Sequence, residues 1–218
     1  MKLLSINVAQ PATVMADGQR VKTAIFKKPV DSPILVGPLN LAGDQQADLR
    51  VHGGPDKAVY AYSLQNIEYW RKYLHRDDLV PGTFGENLTV EGLLDDEIAI
   101  GDELEIGSAR FVVTQPRLPC FKLGIALGMP EFPRVYHRSG RNGFYLRVLK
   151  AGTITSGDEI RRFDFPSRAR MSIAEFVRHS GRRDLTPAQL DRILTLDALP
   201  LSWKESLIEK MARRGMAR

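Results

Sequence analysis

One cysteine, four histidines and no long apolar run set the first limits on this 218-residue chain. A lone thiol, Cys120, forms no intramolecular disulfide, which is the habit of a reducing compartment and implies a cytoplasmic protein. His52, His75, His137 and His179 show neither helical i, i+4 pairing nor a cysteine at ligand spacing, which argues against a tetrahedral protein-only zinc centre. No stretch approaches the ~20 apolar residues that span a bilayer, so no membrane role is expected. The opening MKLLSINVAQ is broken at Ser5 and Asn7, too soon for a signal-peptide core. A serine elbow of the G-x-S-x-G type and a Gly-Lys-Ser/Thr phosphate loop are also missing.

The charge that is present is uneven. The formal net charge of +5 gathers after residue 160, in RRFDFPSRAR, GRRD and MARRGMAR. No zinc-finger, aromatic RNA-binding or basic-zipper pattern accompanies it, which argues against nucleic acid. Such a run is a solvated face, or it serves a small anionic ligand or an acidic protein partner.

From Met1 to about Phe163 the pattern is short apolar or alternating runs cut by Gly, Pro and Asp, as strands in a barrel or sandwich require. LLSINVA, VKTAIF, KAVYAYS, ENLTVEG, ARFVVTQ and FYLRVLK are the clearest. IGDELEIG and SGDEIRRF look alike, each entering a β-like run from a Gly-Asp turn. SLQNIEYWRKYLH reads as a helix with Ser63 as N-cap and Leu64, Ile67, Trp70 and Leu74 on one face. Residues 38–55 lack either periodicity, and loops this long are often functional. After Pro166 three capping boxes follow: Ser172 with Glu175, Thr186 with Gln189, and Ser202 with Glu205. The expectation is a mainly β domain with a few helices over 1–165 and a three-helix unit over 166–218, too small to stand without packing on the first or on a partner.

Four stretches carry candidate chemistry. In TQPRLPCFKL the thiol of Cys120 follows Pro119 and precedes FKLGIALG, which places it at a helix N-terminus beside Arg117 and Lys122, where the thiolate is favoured. DLRVHGGPDKAVYAYS sets His52 before a Gly-Gly turn and Lys57 at the mouth of a strand, suited to a phosphate. PGTFGENLTVEG offers Glu86 and Asn87, and HRSGRNGFYLRV offers Arg138, Arg141 and Asn142. Taken singly, each of these is equally a surface turn, and Cys120 is equally a core residue.

Together, VHGGPDKAVYAY, GTFGENLT, the Gly101-Asp102 turn, TQPRLPC and NGFYLRV stand in the order of the MOSC family, whose domain is also found at the C-terminus of molybdenum cofactor sulfurases. The chain resembles that family over roughly residues 1–163, and its C-terminal helices resemble those of the YiiM-like subgroup, 6-N-hydroxylaminopurine reductases. The resemblance implies a MOSC-type β-barrel and a molybdenum cofactor (Mo-molybdopterin) whose metal takes Cys120 as its protein ligand. It implies pterin and phosphate contacts from Lys57, Asn87, Thr114, Gln115, Arg117 and Arg138, with Asn142 beside them, and proton donors His52 and Glu86 near the substrate. The implied reaction is two-electron reduction of a small N-hydroxylated base or amine, a detoxification, with a flavoprotein electron donor docked at the basic C-terminal unit. The alternative is a sulfur-transfer or cofactor-carrier protein using Cys120 as persulfide or anchor; no pyridoxal-phosphate desulfurase domain is encoded to feed it.

Overall fold

Alternation in VYAYS, residues 59–63, explains how the chain builds two cores on one sheet. Successive strand residues face opposite sides; Val59 and Ala61 enter one apolar cluster while Tyr60 and Tyr62 enter the other. All five residues are buried, so this strand is covered on both faces. The computed structural model describes residues 1–164, 169–180 and 185–213; the expected domain boundary at 165/166 and part of the late basic run lie outside the described residues.

The elements in chain order are β1 (Lys2–Val8), β2 (Ala12–Ala16), β3 (Gln19–Thr23), β4 (Lys28–Val30), β5 (Ile34–Val36), α1 (Leu49–His52), a 3-10 turn at Pro55–Lys57, β6 (Val59–Ser63), α2 (Leu64–Leu74), β7 (Leu88–Glu91), β8 (Glu103–Ile106), β9 (Ala109–Pro116), α3 (Phe121–Leu127), α4 (Phe132–Ser139), β10 (Phe144–Lys150), β11 (Gly152–Ile154), β12 (Ile160–Phe163), α5 (Ile173–Ser180), α6 (Pro187–Leu194) and α7 (Leu201–Ala212). Eight strands form the main sheet in the order β12-β8-β9-β10-β6-β7-β1-β4. Its pairs are antiparallel except β6 with β7, and a parallel pair needs a crossover. Helix α2 supplies it, opened by the Ser63 hydroxyl accepting from Asn66 N at 3.2 Å.

The mainly β expectation holds, with one correction: the sheet is not a closed ladder. β1 and the approach to β12 meet only at an isolated bridge, Lys2 with Glu159, and at flanking bonds such as Ile160 N to Met1 O at 2.9 Å. The two look-alike segments pair with each other, Ile160 opposite Ile106. Each begins with the same turn chemistry: the Asp102 carboxylate accepts from Ala99 N at 2.9 Å, and that of Asp158 from Thr155 N at 2.8 Å.

The apolar face of the sheet carrying Val59, Phe111, Phe144 and Leu146 shares one cluster with Phe176, Ile193, Leu196 and Leu207 of the C-terminal segment. Those helices therefore pack on the sheet through a common core. The other face holds Trp70, Leu123, Phe132 and Tyr136 from α2, α3 and α4. Two helix starts follow their sequence signals: Ser172 accepts from Glu175 N, and Thr186 with Gln189 completes a capping box. The third does not. Pro200 is the N-cap of α7 and Ser202 lies inside the helix, because Pro200 already sets the extended entry that a capping serine would otherwise provide. The run VKTAIF also stops being strand at Thr23.

Candidate functional site

Segments far apart in sequence meet around one pocket of about 630 Å³, open to solvent. Basic side chains dominate it: Lys27, His52, Lys57, Arg117 and Lys122 line it together with Cys120. Among the described residues Asp44 is its one lining carboxylate, and it is ion-paired with Lys27. Tyr60 of β6 and Tyr145 of β10 add aromatic surface, their rings 5.5 Å apart.

Cys120 is the N-cap of α3, half-buried, with Gly128 closing the helix at φ +68°. The chain reaches it from β9 through Arg117, whose backbone is pinned on both sides. Arg117 N donates to Gly143 O at 3.1 Å, and Asn142 Nδ2 donates to Arg117 O at 3.0 Å. The Arg117 guanidinium lies over two rings, 5.4 Å from the Tyr60 centroid and 5.5 Å from that of Tyr136. Only 6% of the residue is exposed, and its Nη1 is buried with no hydrogen-bond partner among the described residues. A buried donor of a charged group without an acceptor is costly, so a binding site for an anion is its natural explanation.

The 48–57 loop brings His52 and Lys57. Asp48 caps α1 by accepting from Arg50 N at 3.1 Å, Gly54 takes φ +94°, and Lys57 Nζ donates to Val51 O at 2.7 Å. Burial lowers the His52 pKa, and Lys122, Arg117 and Lys57 lower it further; the imidazole is held neutral among cations. On the opposite wall, Gly82 and Gly85 at φ +89° and +79° let the Glu86 turn press against the segment of Lys27. A Cβ on Gly82 would sit 2.6 Å from Lys27 O.

The structure gathers Cys120, His52, Lys57, Asn87 and Arg117 at this pocket and leaves the other candidates outside its lining. Asn87 is spent on architecture: its Oδ1 accepts from Tyr60 N, and its Nδ2 donates to Asn7 O and Asp44 Oδ2. Glu86 is fully buried in its own turn, accepting from Gly82 N at 2.6 Å, Phe84 N at 3.0 Å and the Thr89 hydroxyl at 3.0 Å. Burial pushes its carboxyl up to about 7, against those bonds. Thr114 and Gln115 are turned to Asp56 O, at 2.8 and 3.2 Å. Asn142 is buried, its carbonyl accepting from Tyr60 and Tyr136 hydroxyls at 3.0 Å. Arg138 is exposed on α4, a helix where the sequence suggested a loop. The i, i+4 spacing that puts Phe132 and Tyr136 together on the second core belongs to that helix.

Sequence reasoning missed Lys27, Asp44, Tyr60 and Tyr145. Asp44 stood in the long polar segment already singled out, whereas Lys27 carried no local signal because its partner lies 17 residues away.

A MOSC domain family model matches residues 48–161. YflK of Bacillus subtilis is 36% identical over 97% of this chain and 95% of its own. A protein named reductase from Gibberella moniliformis is 34% identical over 68% of this chain, which spans 27% of that longer protein. The crystal structure of YiiM from Geobacillus stearothermophilus superposes with a TM-score of 0.80 and 32% identity, covering 96% of this chain and 98% of that one.

Proposed function

The chain belongs to the MOSC domain family, and from that premise we propose that it is a molybdenum-cofactor-dependent reductase of N-hydroxylated bases or amines, of which 6-N-hydroxylaminopurine is the model substrate. The family is associated with the molybdenum cofactor, and a relative bears the name reductase. One observation of the site carries the reading: the buried, unpartnered Nη1 of Arg117 shares a pocket with the chain's sole thiol.

The residues fit the cofactor. Cys120 offers a soft sulfur donor suited to the metal. Arg117, Lys57 and Lys122 offer charge-assisted bonds to its phosphate, and the rings of Tyr60 and Tyr145 suit a flat pterin. When bound, the cofactor supplies a metal centre that exchanges two electrons with the substrate. The balance is R–NHOH plus two electrons and two protons giving R–NH2 and water. This chain must deliver those protons where the N–O bond breaks. His52 is the pocket's imidazole and takes that role once the ligand's phosphate offsets the cations that hold it neutral in the empty pocket; Glu86, buried outside the lining, acts on the turn that holds Asn87. An external donor must restore the two electrons. A flavoprotein with an acidic face, attracted by the basic residues after 160, meets that need.

Cys120→Ser tests the reading. Protein from a host that makes the cofactor should carry one molybdenum per chain and reduce 6-N-hydroxylaminopurine. The serine variant should lose metal and activity with an unchanged melting temperature. A labile persulfide on metal-free protein would instead make the chain a sulfur carrier.

A further inference from the structure

Asp56, the middle residue of the Pro55–Lys57 turn, is gripped from outside the pocket. Its carbonyl accepts from Thr114 Oγ1 at 2.8 Å and Gln115 Nε2 at 3.2 Å, and its carboxylate accepts from Arg147 Nε at 2.6 Å. Two of these three holders are bonded in turn to the C-terminal segment, one to α7 and one to the connection between α6 and α7. Trp203 Nε1 of α7 donates to Gln115 Oε1 at 2.7 Å, and Arg147 Nη2 donates to Ala198 O at 3.3 Å. None of Thr114, Gln115, Arg147, Ala198 or Trp203 lines the pocket, whereas Lys57, the next residue after Asp56, does. The chain entering the turn is permissive. Gly53 and Gly54 precede it, and glycine backbone is the most permissive available.

We infer that Trp203 is a positioning residue of the anion pocket: through Gln115 and Asp56 it fixes Lys57, which makes the C-terminal three-helix unit a working part of the site. This rests on the pocket binding the phosphate of its ligand. The side chain of Gln115 is suited to such a relay because its amide accepts on one side and donates on the other, and at 3% exposure it has no water to replace either partner. Removing the Trp203 donor leaves Gln115 Oε1 without a partner, and the amide is then free to turn away from Asp56.

The full-length chain reports on this directly, because Cys120 is its only thiol and shares the pocket with Lys57. The rate of Cys120 alkylation by iodoacetamide is measured on cofactor-free protein against rising pyrophosphate. Trp203→Phe keeps an aromatic ring against Phe176, whose centroid is 5.1 Å away, while it removes the indole N–H together with part of the ring. The pyrophosphate concentration giving half protection should rise about threefold to tenfold. In a Lys57→Met background the same change should move it by less than about twofold, since the route ends at Lys57. An equal rise in both backgrounds overturns the inference, because Trp203 would then act on the fold as a whole. No rise in either also overturns it. Gln115→Met, which severs both bonds of the relay, is carried through the same cycle, so that a folding defect in one variant leaves the other to decide. Pyrophosphate that fails to protect the unaltered chain refutes the anion pocket itself; protection insensitive to both relay variants refutes this inference alone.

Discussion

The guanidinium of Arg117 lies 5.4 Å from the ring centroid of Tyr60, and its Nη1 is buried with no partner among the described residues. The ring contact and the backbone bonds to Gly143 and Asn142 hold a charge in place that the protein leaves partly unanswered. Such preorganisation makes a site before its ligand arrives, at a cost to the empty protein.

Arg117→Met should therefore separate binding from stability. Unfolding free energy of the cofactor-free chain is expected to stay level or rise by about 1 kcal/mol, because a desolvated charge is replaced by an apolar side chain of similar length. Pyrophosphate protection of Cys120 should weaken by at least about tenfold, as loss of a charge-assisted bond predicts. A large drop in stability with intact protection would make Arg117 a brace for the two tyrosines and nothing more.

Lys27 and Asp44 form a buried pair whose side chains are 8% and 1% exposed. Asp44 also accepts from Ala9 N at 2.8 Å and Asn87 Nδ2 at 2.9 Å. Lys27→Met leaves that carboxylate buried without its cation and should cost about 3 kcal/mol in urea unfolding. Adding Asp44→Asn should recover part of the loss, since the stranded charge is gone. Additive losses would show that the pair is not coupled.

Glu86 sets a pH dependence. Its pKa is raised to about 7 by burial, so the folded state binds a proton that the unfolded chain, near the ordinary carboxylate value, has already lost. The sign follows: this contribution is fully present below about pH 4.5 and is lost as pH rises through 7. Urea midpoints across that window should fall with rising pH in the natural chain and flatten in Glu86→Gln. An unchanged slope in the variant would assign the dependence to another group.

His52 is depressed by burial and by Lys122, Arg117 and Lys57. A neutralising anion removes part of that repulsion, so the imidazole should take up a proton when pyrophosphate binds near pH 6. The His52 ring signal in NMR titration should move to a higher pKa in the bound state. Identical titration curves with and without pyrophosphate would place the anion away from His52.

Much of the strand ladder was legible because short apolar, β-branched runs bounded by turn residues mark strands, as in ARFVVTQ, buried along nearly all of β9, and FYLRVLK, whose burial alternates at the start of β10. Helix α2 was legible for the same reason at a different period, with Ser63 marking its start. Ser202 misled because a serine followed by Glu205 reads as a cap wherever it falls, and nothing local says that Pro200 has already opened the helix.

By itself the sequence determined the mainly β character, the late helices, the lone thiol at a helix start, and the basic residues at 52–57 and 117–122; each follows from local periodicity, capping or adjacency. Only the tertiary structure decided which of them share a pocket. Lys27 reaches Asp44 through a buried ion pair, Nη1 of Arg117 is left unanswered beside Tyr60 and Tyr136, and Thr114 and Gln115 turn to Asp56 and away from the pocket. The physical reason is that burial and hydrogen-bond satisfaction are set by neighbours that the fold brings from distant positions, and no window of sequence contains them.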